Sequence, residues 1–338
     1  HSLQTLGVLQ DVAALAPVPL HAAAITTFGG KTIQMGLPAD AWGLSRYALD
    51  ARMAAAVERC GGEVWQGAAV THITPAHGAH RVQVRRNREH GRMQELSVQA
   101  RAVIIACGRH SSADLPPRNA AQGTDKRGWR NCLGLKIHYQ NVRMEPRVEL
   151  YLFPGGYVGI NPVEDGQANV CLLITYAAFQ AAGKSLPCVL ELAATRHPAF
   201  AERLRGARPV AESECAVAPV DTQRRPLPWD TAAAAPCLGD TVAMIPPLAG
   251  DGMAMALRSA ELCLAPADAY LQGSLALRGW EEEYGRAWRR EFGRRLRLGQ
   301  SLQATLTTPW LGDAMVGIGR QLPWAARWLL EGTRGHIP

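Results

Sequence analysis

Apolar residues recur at every third or fourth position in several parts of the chain, and this spacing predicts amphipathic helices. Ser45 can cap a helix that runs to about Arg59. A second helix is predicted over Leu186–Leu204, with an interruption at His197 and Pro198. A third carries an apolar stripe through a segment rich in Glu and Arg, and is predicted to dock on the core. The stripe consists of Trp280, Tyr284, Trp288, Phe292 and Leu296.

Alternating apolar and polar residues predict β-strands in the first half of the chain. A hairpin is expected around Gly29 and Gly30, from His21–Thr27 and Lys31–Gly36. Four short strands between Gly134 and Thr175 are rich in aromatic and β-branched residues, which predicts a separate, mostly antiparallel sheet. A three-stranded meander is predicted from Val70–Ile73, His80–Arg86 and Glu95–Gln99, followed by an apolar strand at Arg101–Ala106.

The stretch Cys237–Ala260 combines a strand, a carboxylate, a Pro/Gly loop and the start of a helix. Asp240 follows the strand and can accept hydrogen bonds from a polyol. Gly250 and Gly252 allow a flat ligand to approach the backbone. From Met253 the pattern is helical, and free N–H groups at a helix start favour a developing anion. An ordinary crossover with an acidic cap is the alternative interpretation.

Composition excludes several other classes of protein. The chain has 338 residues, of which 47% are hydrophobic, and can bury a large core. No apolar run is long enough to span a membrane, and eight scattered cysteines without a CxxC motif indicate small buried residues in a reducing compartment. No metal-ligand spacing is present. The formal charge of +7 comes from arginines spread over Arg81–Arg92 and Arg278–Arg297, so a nucleic-acid binder is disfavoured.

The sequence PPLAGDGMAMALRSAE, preceded by Gly239-Asp240, resembles the second flavin motif of the p-hydroxybenzoate hydroxylase and geranylgeranyl reductase superfamily. The resemblance implies FAD as the cofactor. It implies that Asp240 binds the ribityl chain, that Pro247, Gly250 and Gly252 lie along the isoalloxazine ring, and that the backbone at Gly252 and Met253 faces the flavin N1/C2 edge. Thr241 and Val242 are a mild departure from the family pattern.

Three further segments resemble the same superfamily. In Leu44–Asp50 the resemblance assigns Arg46 to the ribityl or phosphate side of the cofactor. In Cys107–Ser111 it assigns Gly108 to close backbone approach, although Cys107 replaces the usual polar residue. The segment GYVGINP at 156–162 is similar to a reductase signature, but Gly159 stands where that family has Trp and Asn161 where it has Phe. The resulting wall is expected to be smaller and more polar.

The GxGxxG unit that precedes these motifs in the superfamily has no counterpart in this sequence, and we favour truncation over evolutionary loss. The expected fold is α/β: a Rossmann-like FAD-binding domain truncated at its N-terminus (1–132 and 215–275), an inserted antiparallel substrate domain (133–214) and a C-terminal helical region (276–338). Val103–Ala106 and the strand before Gly239 should share one sheet. That sheet should have an unfilled position that leaves Ile104 and Val242 poorly covered.

These observations predict a cytoplasmic, FAD-dependent oxidoreductase of reductase-like type, with NAD(P)H as reductant and a small or medium apolar metabolite as substrate. No catalytic residue is identified. Pocket candidates are His138, Tyr151, Tyr157 and Asn161. The alternatives are a flavin-dependent monooxygenase acting on an aromatic or polyketide-type metabolite, and a non-catalytic remnant that acts as a binding or scaffold protein. The C-terminal Trp/Arg helices suggest peripheral membrane contact as an additional role.

Overall fold

The computed structural model describes residues 2–76, 78–87, 93–108, 132–222 and 226–333. Its helices are α1 (Ser2–Thr5), α2 (Leu9–Ala13), α3 (Arg46–Arg59), α4 (Tyr176–Ala181), α5 (Leu186–Arg196), α6 (Pro198–Leu204), α7 (Gly252–Leu271), α8 (Leu277–Leu306), α9 (Pro309–Gln321) and α10 (Pro323–Thr333). Its strands are β1 (Val18–Thr26), β2 (Thr32–Gly43), β3 (Ala68–Ala76), β4 (Ala79–Asn87), β5 (Met93–Ala100), β6 (Cys132–Gln140), β7 (Arg147–Phe153), β8 (Gly156–Pro162), β9 (Gln167–Thr175), β10 (Arg208–Pro209), β11 (Cys215–Val220), β12 (Trp229–Asp230) and β13 (Ala235–Pro236). The predicted mixed α/β class is confirmed.

The largest sheet has eight strands in the order β10-β6-β9-β8-β7-β1-β2, with β11 also paired to β6. All of its pairs are antiparallel except β1 with β7. The four strands predicted between Gly134 and Thr175 therefore form its centre, but they are not a separate sheet. The hairpin β1–β2 extends them, because Ala22–Thr26 pairs in parallel with Arg147–Tyr151. The proposed domain boundaries stay a prediction.

The other predicted strands form smaller units. β3, β4 and β5 make the expected antiparallel meander. The segment 101–108 and the residues before Gly239 are joined in parallel, as predicted, but only by one bridge between Ile105 and Cys237. Ile105 donates its N–H to the Pro236 carbonyl and accepts from Leu238, both at 2.9 Å. Pro236 has no N–H of its own, which limits a longer ladder at this point.

The prediction that Ile104 and Val242 are poorly covered is confirmed for Ile104 and wrong for Val242. Ile104 is 47% exposed, whereas Val242 is fully buried. Val242 lies in a core cluster with the aromatic residues of α8 and with Met255 of α7. Helix packing therefore contributes to the cover of Val242.

The apolar stripe of α8 docks on the core as predicted. All five stripe residues are buried, and they pack against Cys237, Ala243 and Ile245. The Tyr284 hydroxyl also donates to the Cys237 carbonyl at 2.7 Å. Further along α8, Gln300 donates to the Thr222 carbonyl at 2.9 Å. This helix thus holds two separate segments that precede the Pro/Gly loop in the chain.

Two expectations from composition need correction. Only Cys132, Cys237 and Cys263 are buried; the other five cysteines are exposed, and none of the eight forms a disulfide. The arginines of α8 were interpreted as solvated, but Arg295 is buried. None of the described helices combines the length and the apolarity that crossing a bilayer requires.

A buried carboxylate ties β7 to α6. Glu149 is 3% exposed and accepts two bonds from the Arg203 guanidinium at 2.9 and 3.0 Å, one from Arg147 at 2.8 Å and one from the Tyr151 hydroxyl at 2.7 Å. Burial alone would raise the pKa of Glu149, but the hydrogen bonds from Arg203, Tyr151 and Arg147 outweigh it and hold the pKa below its usual value.

We expect Glu149→Gln to lower the free energy of unfolding by about 3 kcal/mol at pH 7, because a buried ion pair loses one partner. Since the folded-state pKa of Glu149 is lowered, its contribution is complete above the ordinary carboxyl pKa and is lost as the pH falls through the folded value. Urea unfolding should therefore show that wild type and variant differ less in their free energy of unfolding below about pH 4.

The matched control is Glu145→Gln, because Glu145 is largely exposed and pairs only with Arg147 among the described residues. Its effect should stay below about 1 kcal/mol. A Glu149→Gln effect that is equally small, or independent of pH, would contradict this account.

Candidate functional site

Two of the three segments that the resemblance assigned to cofactor binding, Cys107–Ser111 and the motif that begins at Gly239, meet in the fold. The bridge at Ile105 places Cys107 beside the 3-10 turn Gly239–Thr241, with 3.8 Å between Cys107 Sγ and the Thr241 hydroxyl oxygen. That turn packs on α7, because Ser259 accepts a hydrogen bond from the Gly239 N–H at 2.9 Å. Gly108 therefore lies near Asp240, although Ser111 lies outside the described residues.

Gly239 is required for the close contact between the turn and α7. Its φ is +57°, and a Cβ at this position would lie 3.0 Å from the Ala256 Cβ. As a result Asp240, which follows it, lines one narrow crevice together with Gly252 and Met255 of α7. Trp288 of α8 and Ile245 close the crevice. The structure thus brings Asp240 and Gly252 together, and their roles toward a cofactor stay a prediction.

The Pro/Gly loop leaves its backbone open. Pro247 begins a short 3-10 turn that ends at Gly250, whose φ of +69° favours glycine. Pro247 and Gly250 are exposed, and a Cβ on Gly250, Gly252 or Gly108 would meet no atom of the described residues within 4 Å. These three glycines therefore border open space, into which a side chain would project and in which a flat ligand could lie against the backbone.

The start of α7 keeps its N–H groups free of a side-chain cap. Asp251 occupies the N-cap position but makes no cap hydrogen bond to the helix, because its carboxylate is bound by Arg295 of α8. Of the next residues, Gly252 is partly exposed and Met253 is exposed. Unsatisfied N–H groups at a helix start favour an anion or a carbonyl oxygen.

Sequence reasoning missed the ion pair that supports this loop. Asp251 is 8% exposed and Arg295 is 7% exposed. The Arg295 guanidinium also lies 5.3 Å from the Phe292 ring centroid and 3.5 Å from a Glu291 carboxylate oxygen. The only available signal was that Arg295 directly precedes Leu296 of the apolar stripe, and so borders the buried face of the helix.

Arg46 does not join the crevice in the part of the chain that the structure describes. It follows the N-cap Ser45, as predicted, but its guanidinium pairs with Asp50 at 3.0 Å, and both side chains are exposed. The start of α3 is held instead by Glu164, which accepts the Ser45 N–H at 2.8 Å. The cofactor contact predicted for Arg46 stays a prediction.

Strand register divides the four predicted pocket residues between two faces of the large sheet. Tyr157, Asn161 and His138 share one face, because Asn161 pairs with Asn169, and Asn169 pairs with His138. Tyr151 pairs with Val158 and lies on the opposite face, under α5 and α6. Successive side chains of a strand point to opposite faces of the sheet. Tyr151 therefore lies on the other side of the sheet from Tyr157, Asn161 and His138.

Tyr157 connects the first of these faces to the Pro/Gly loop. Its ring packs with Leu248, and its hydroxyl lies beside the Leu248 backbone. Burial raises the pKa of the Tyr157 phenol well above its usual value, so the phenol stays protonated. Burial, together with the nearby Lys136, lowers the pKa of His138.

Beyond Tyr157 this face is open and polar. We call the residues Lys136, Gly159, Asn161, Asn169 and Cys171 the polar sheet face. They form adjacent rows of the register, with Cys171 paired to both Gly159 and Lys136, and Asn169 to Asn161. Although β8 and β9 are central strands, Cys171 is exposed here. An exposed side chain in the middle of a large sheet shows that this part of the face is accessible.

The start of α3 bounds the polar sheet face at its other end. The Lys136 ammonium lies 5.0 Å from the ring centroid of Tyr47, which follows Arg46. Asn169 donates to the side-chain oxygen of Asn161 at 3.4 Å. Sequence reasoning identified Asn161 and His138 but missed Lys136, Asn169 and Cys171, because alternation alone does not reveal which face of a strand is uncovered.

No protein-family model matches the sequence, and no curated protein sequence is detectably similar. Solved structures do match. The flavin-dependent brominase Bmp2 superposes with a TM-score of 0.74 at 14% identity, over 98% of this chain and 81% of that one. The myxobacterial chondrochloren halogenase CndH superposes with a TM-score of 0.72 at 17% identity, over 89% of this chain and 70% of that one. A geranylgeranyl bacteriochlorophyll reductase-like protein from Thermoplasma acidophilum superposes with a TM-score of 0.63 at 18% identity, over 86% of this chain and 71% of that one. The chain therefore has the fold of FAD-dependent oxidoreductases, as the motifs predicted.

We expect Arg295→Met to lower the free energy of unfolding by about 3 kcal/mol, because it leaves the buried Asp251 carboxylate without its cation. The double variant Asp251→Ala/Arg295→Met should be less destabilised than the sum of the two single variants. Urea unfolding of the four proteins measures this coupling. Arg294→Met is the control, since Arg294 is exposed on the same helix. Strictly additive effects would show that the pair does not hold the loop.

Proposed function

We propose that the protein is an FAD-dependent oxidoreductase that binds the flavin at the crevice and Pro/Gly loop and its substrate on the polar sheet face. The observation that carries this proposal is the position of the open glycine loop beside the exposed polar residues in the centre of the large sheet. Tyr157 and Leu248 form the contact between the two. The fold shared with flavin-dependent enzymes supports it.

The residues at the crevice fit a flavin. Gly250 and Gly252 leave space for a flat ring, and the uncapped start of α7 can donate to a carbonyl oxygen of that ring. Asp240 can accept from a ribityl hydroxyl. A bound flavin would supply hydride transfer or oxygen chemistry. The chain's own contribution is to bind and orient: the Asp251–Arg295 pair fixes the loop, and the buried aromatic residues of α8 exclude water behind it.

The polar sheet face favours a substrate with an anionic or hydrogen-bonding end. Lys136 supplies a positive charge, and Asn161 and Asn169 supply amide groups. Gly159 separates these polar groups from β7, because a Cβ at this position would already lie 3.1 Å from Leu150. The sequence had suggested an apolar metabolite. We propose instead a small or medium metabolite with an apolar or aromatic body and a carboxylate-like end next to Lys136.

Two reactions suit this arrangement. The GYVGINP signature favours a reductase-like reaction, in which hydride from NAD(P)H passes through the flavin to a double bond. The likeness to a brominase and a halogenase favours an oxygen-dependent modification of an aromatic ring as the second candidate. Product formation without oxygen and with NAD(P)H distinguishes them, because only the reduction proceeds anaerobically.

Asp240→Ala should weaken FAD binding by about tenfold or more while the fold is retained, because a charge-assisted hydrogen bond is worth roughly 1.5–3 kcal/mol. The measurement is a titration of the full chain with FAD, followed by the flavin absorption bands. Asp268→Ala is the matched control, since Asp268 bonds only Gln272 at the far end of α7 among the described side chains.

If FAD stays bound as tightly and only the melting temperature falls, Asp240 is a structural residue of the turn. If the wild-type chain binds no FAD, the non-catalytic binding protein becomes the better description.

Lys136→Met should abolish a preference for carboxylated aromatic compounds over their methyl esters, with a loss of about tenfold in affinity for the acids. Binding is measured by calorimetry with benzoate-type acids and their esters as probes. Lys184→Met is the control, because Lys184 is exposed outside the sheet. Equal affinities of wild type and Lys136→Met for the acids would contradict the assigned role.

A further inference from the structure

Helices α9 and α10 carry an unusual number of large apolar side chains in contact with solvent. Trp310 and Trp324 are each 71% exposed and Trp328 is 58% exposed, although tryptophan is normally among the better buried residues. Ile318 and Leu322 are exposed as well. We call these five residues the tryptophan surface.

The inner sides of the same helices are already filled by small residues. A Cβ on Gly319 would lie 2.9 Å from the Ile33 side chain, and a Cβ on Gly332 would lie 2.8 Å from Leu298. Ala326 packs in the core cluster that contains Ile33. The protein side of α9 and α10 therefore has no room for the indole rings, and their exposure follows from the packing of the two helices.

Cationic residues lie next to these aromatic residues. A groove of about 430 Å³ between β2 and the two helices is lined by residues 32–37 and by Gly319, Arg320, Pro323 and Arg327. Arg320 has no ion pair among the described residues, and Arg327 pairs with Glu331 while both side chains remain largely exposed. Strand β2 is the last in its sheet.

Asp313, the acid of α9, is bound to the turn of the β1–β2 hairpin and forms no ion pair with Arg320 or Arg327 among the described residues. Asp313 of α9 accepts hydrogen bonds from the Thr27 hydroxyl and, at 3.2 Å, from the Gly29 N–H, so it serves the turn of the β1–β2 hairpin. Lys31 adds a further cation beside α9, 3.7 Å from where a Cβ on Gly317 would lie. The groove therefore presents positive charge next to exposed indoles.

We propose that α9 and α10 dock on an anionic lipid bilayer, with the tryptophan surface in the interface and Arg320, Arg327 and Lys31 facing lipid phosphates. Indole rings prefer the boundary between the headgroups and the acyl chains, and basic residues add attraction to anionic lipids. A second copy of the chain suits the surface less well, since a two-fold contact would bring the same arginines of both copies together.

Co-sedimentation with lipid vesicles tests the proposal. The full chain should bind vesicles of phosphatidylcholine mixed with phosphatidylglycerol, and bind them much more weakly when phosphatidylglycerol is absent or the salt is high. Arg320→Gln/Arg327→Gln should weaken binding to the mixed vesicles by about thirtyfold. Trp324→Ser/Trp328→Ser should remove most of the binding. Because all four side chains are exposed, the melting temperature should be unchanged.

Matched controls come from exposed residues elsewhere. Leu264→Ser on α7 and Arg278→Gln/Arg286→Gln on α8 should bind the mixed vesicles like wild type. Equal binding to neutral vesicles would overturn the role of charge, and no binding to either composition would overturn the proposal. A concentration-dependent dimer in sedimentation velocity that the Trp324→Ser/Trp328→Ser variant abolishes would identify a second copy as the occupant.

Discussion

The docking of α8 is the constraint on which the candidate site depends. Its aromatic side chains are buried behind the segment that carries Asp240 and the Pro/Gly loop, and Tyr284 bonds the Cys237 carbonyl directly. Arg295 extends this contact to the start of α7 through Asp251. A loop that contains Gly250 and Gly252 would otherwise lose much of its order to backbone entropy. The helix therefore supplies the rigidity that a ligand-binding loop needs.

The Asp251–Arg295 pair has a second consequence. A carboxylate at an N-cap position usually satisfies the first N–H groups of its helix. Here the guanidinium takes that carboxylate, and the helix start stays available to a ligand. A buried ion pair is weak evidence for stability in general. In this fold its value lies in the geometry that it imposes on Gly252 and the residues before it.

The two faces of the large sheet have different roles: one packs in the core, and the other carries the proposed ligand site. One face is covered by α5 and α6 and contains Tyr151, whose hydroxyl serves the buried Glu149. The other face packs on the Pro/Gly loop at Tyr157 and is uncovered at Cys171. Substitutions on the first face should act on stability, and those on the second on ligand binding, since Cys171 on the second face is exposed.

Local patterns in the sequence determined the elements of this protein. Apolar spacing located the α8 stripe and the N-cap at Ser45, and the order of Asp240, prolines, glycines and helix indicated the flavin-type loop. Such features depend on residues close together in the chain. The tertiary structure decided which of them meet: the β1–β2 hairpin joins the large sheet, Tyr151 faces away from Tyr157, and Arg46 pairs with Asp50. It also decided that Arg295 is buried and that Trp324 is not. These outcomes depend on contacts between distant segments, and a one-dimensional pattern does not specify which face a neighbour will cover.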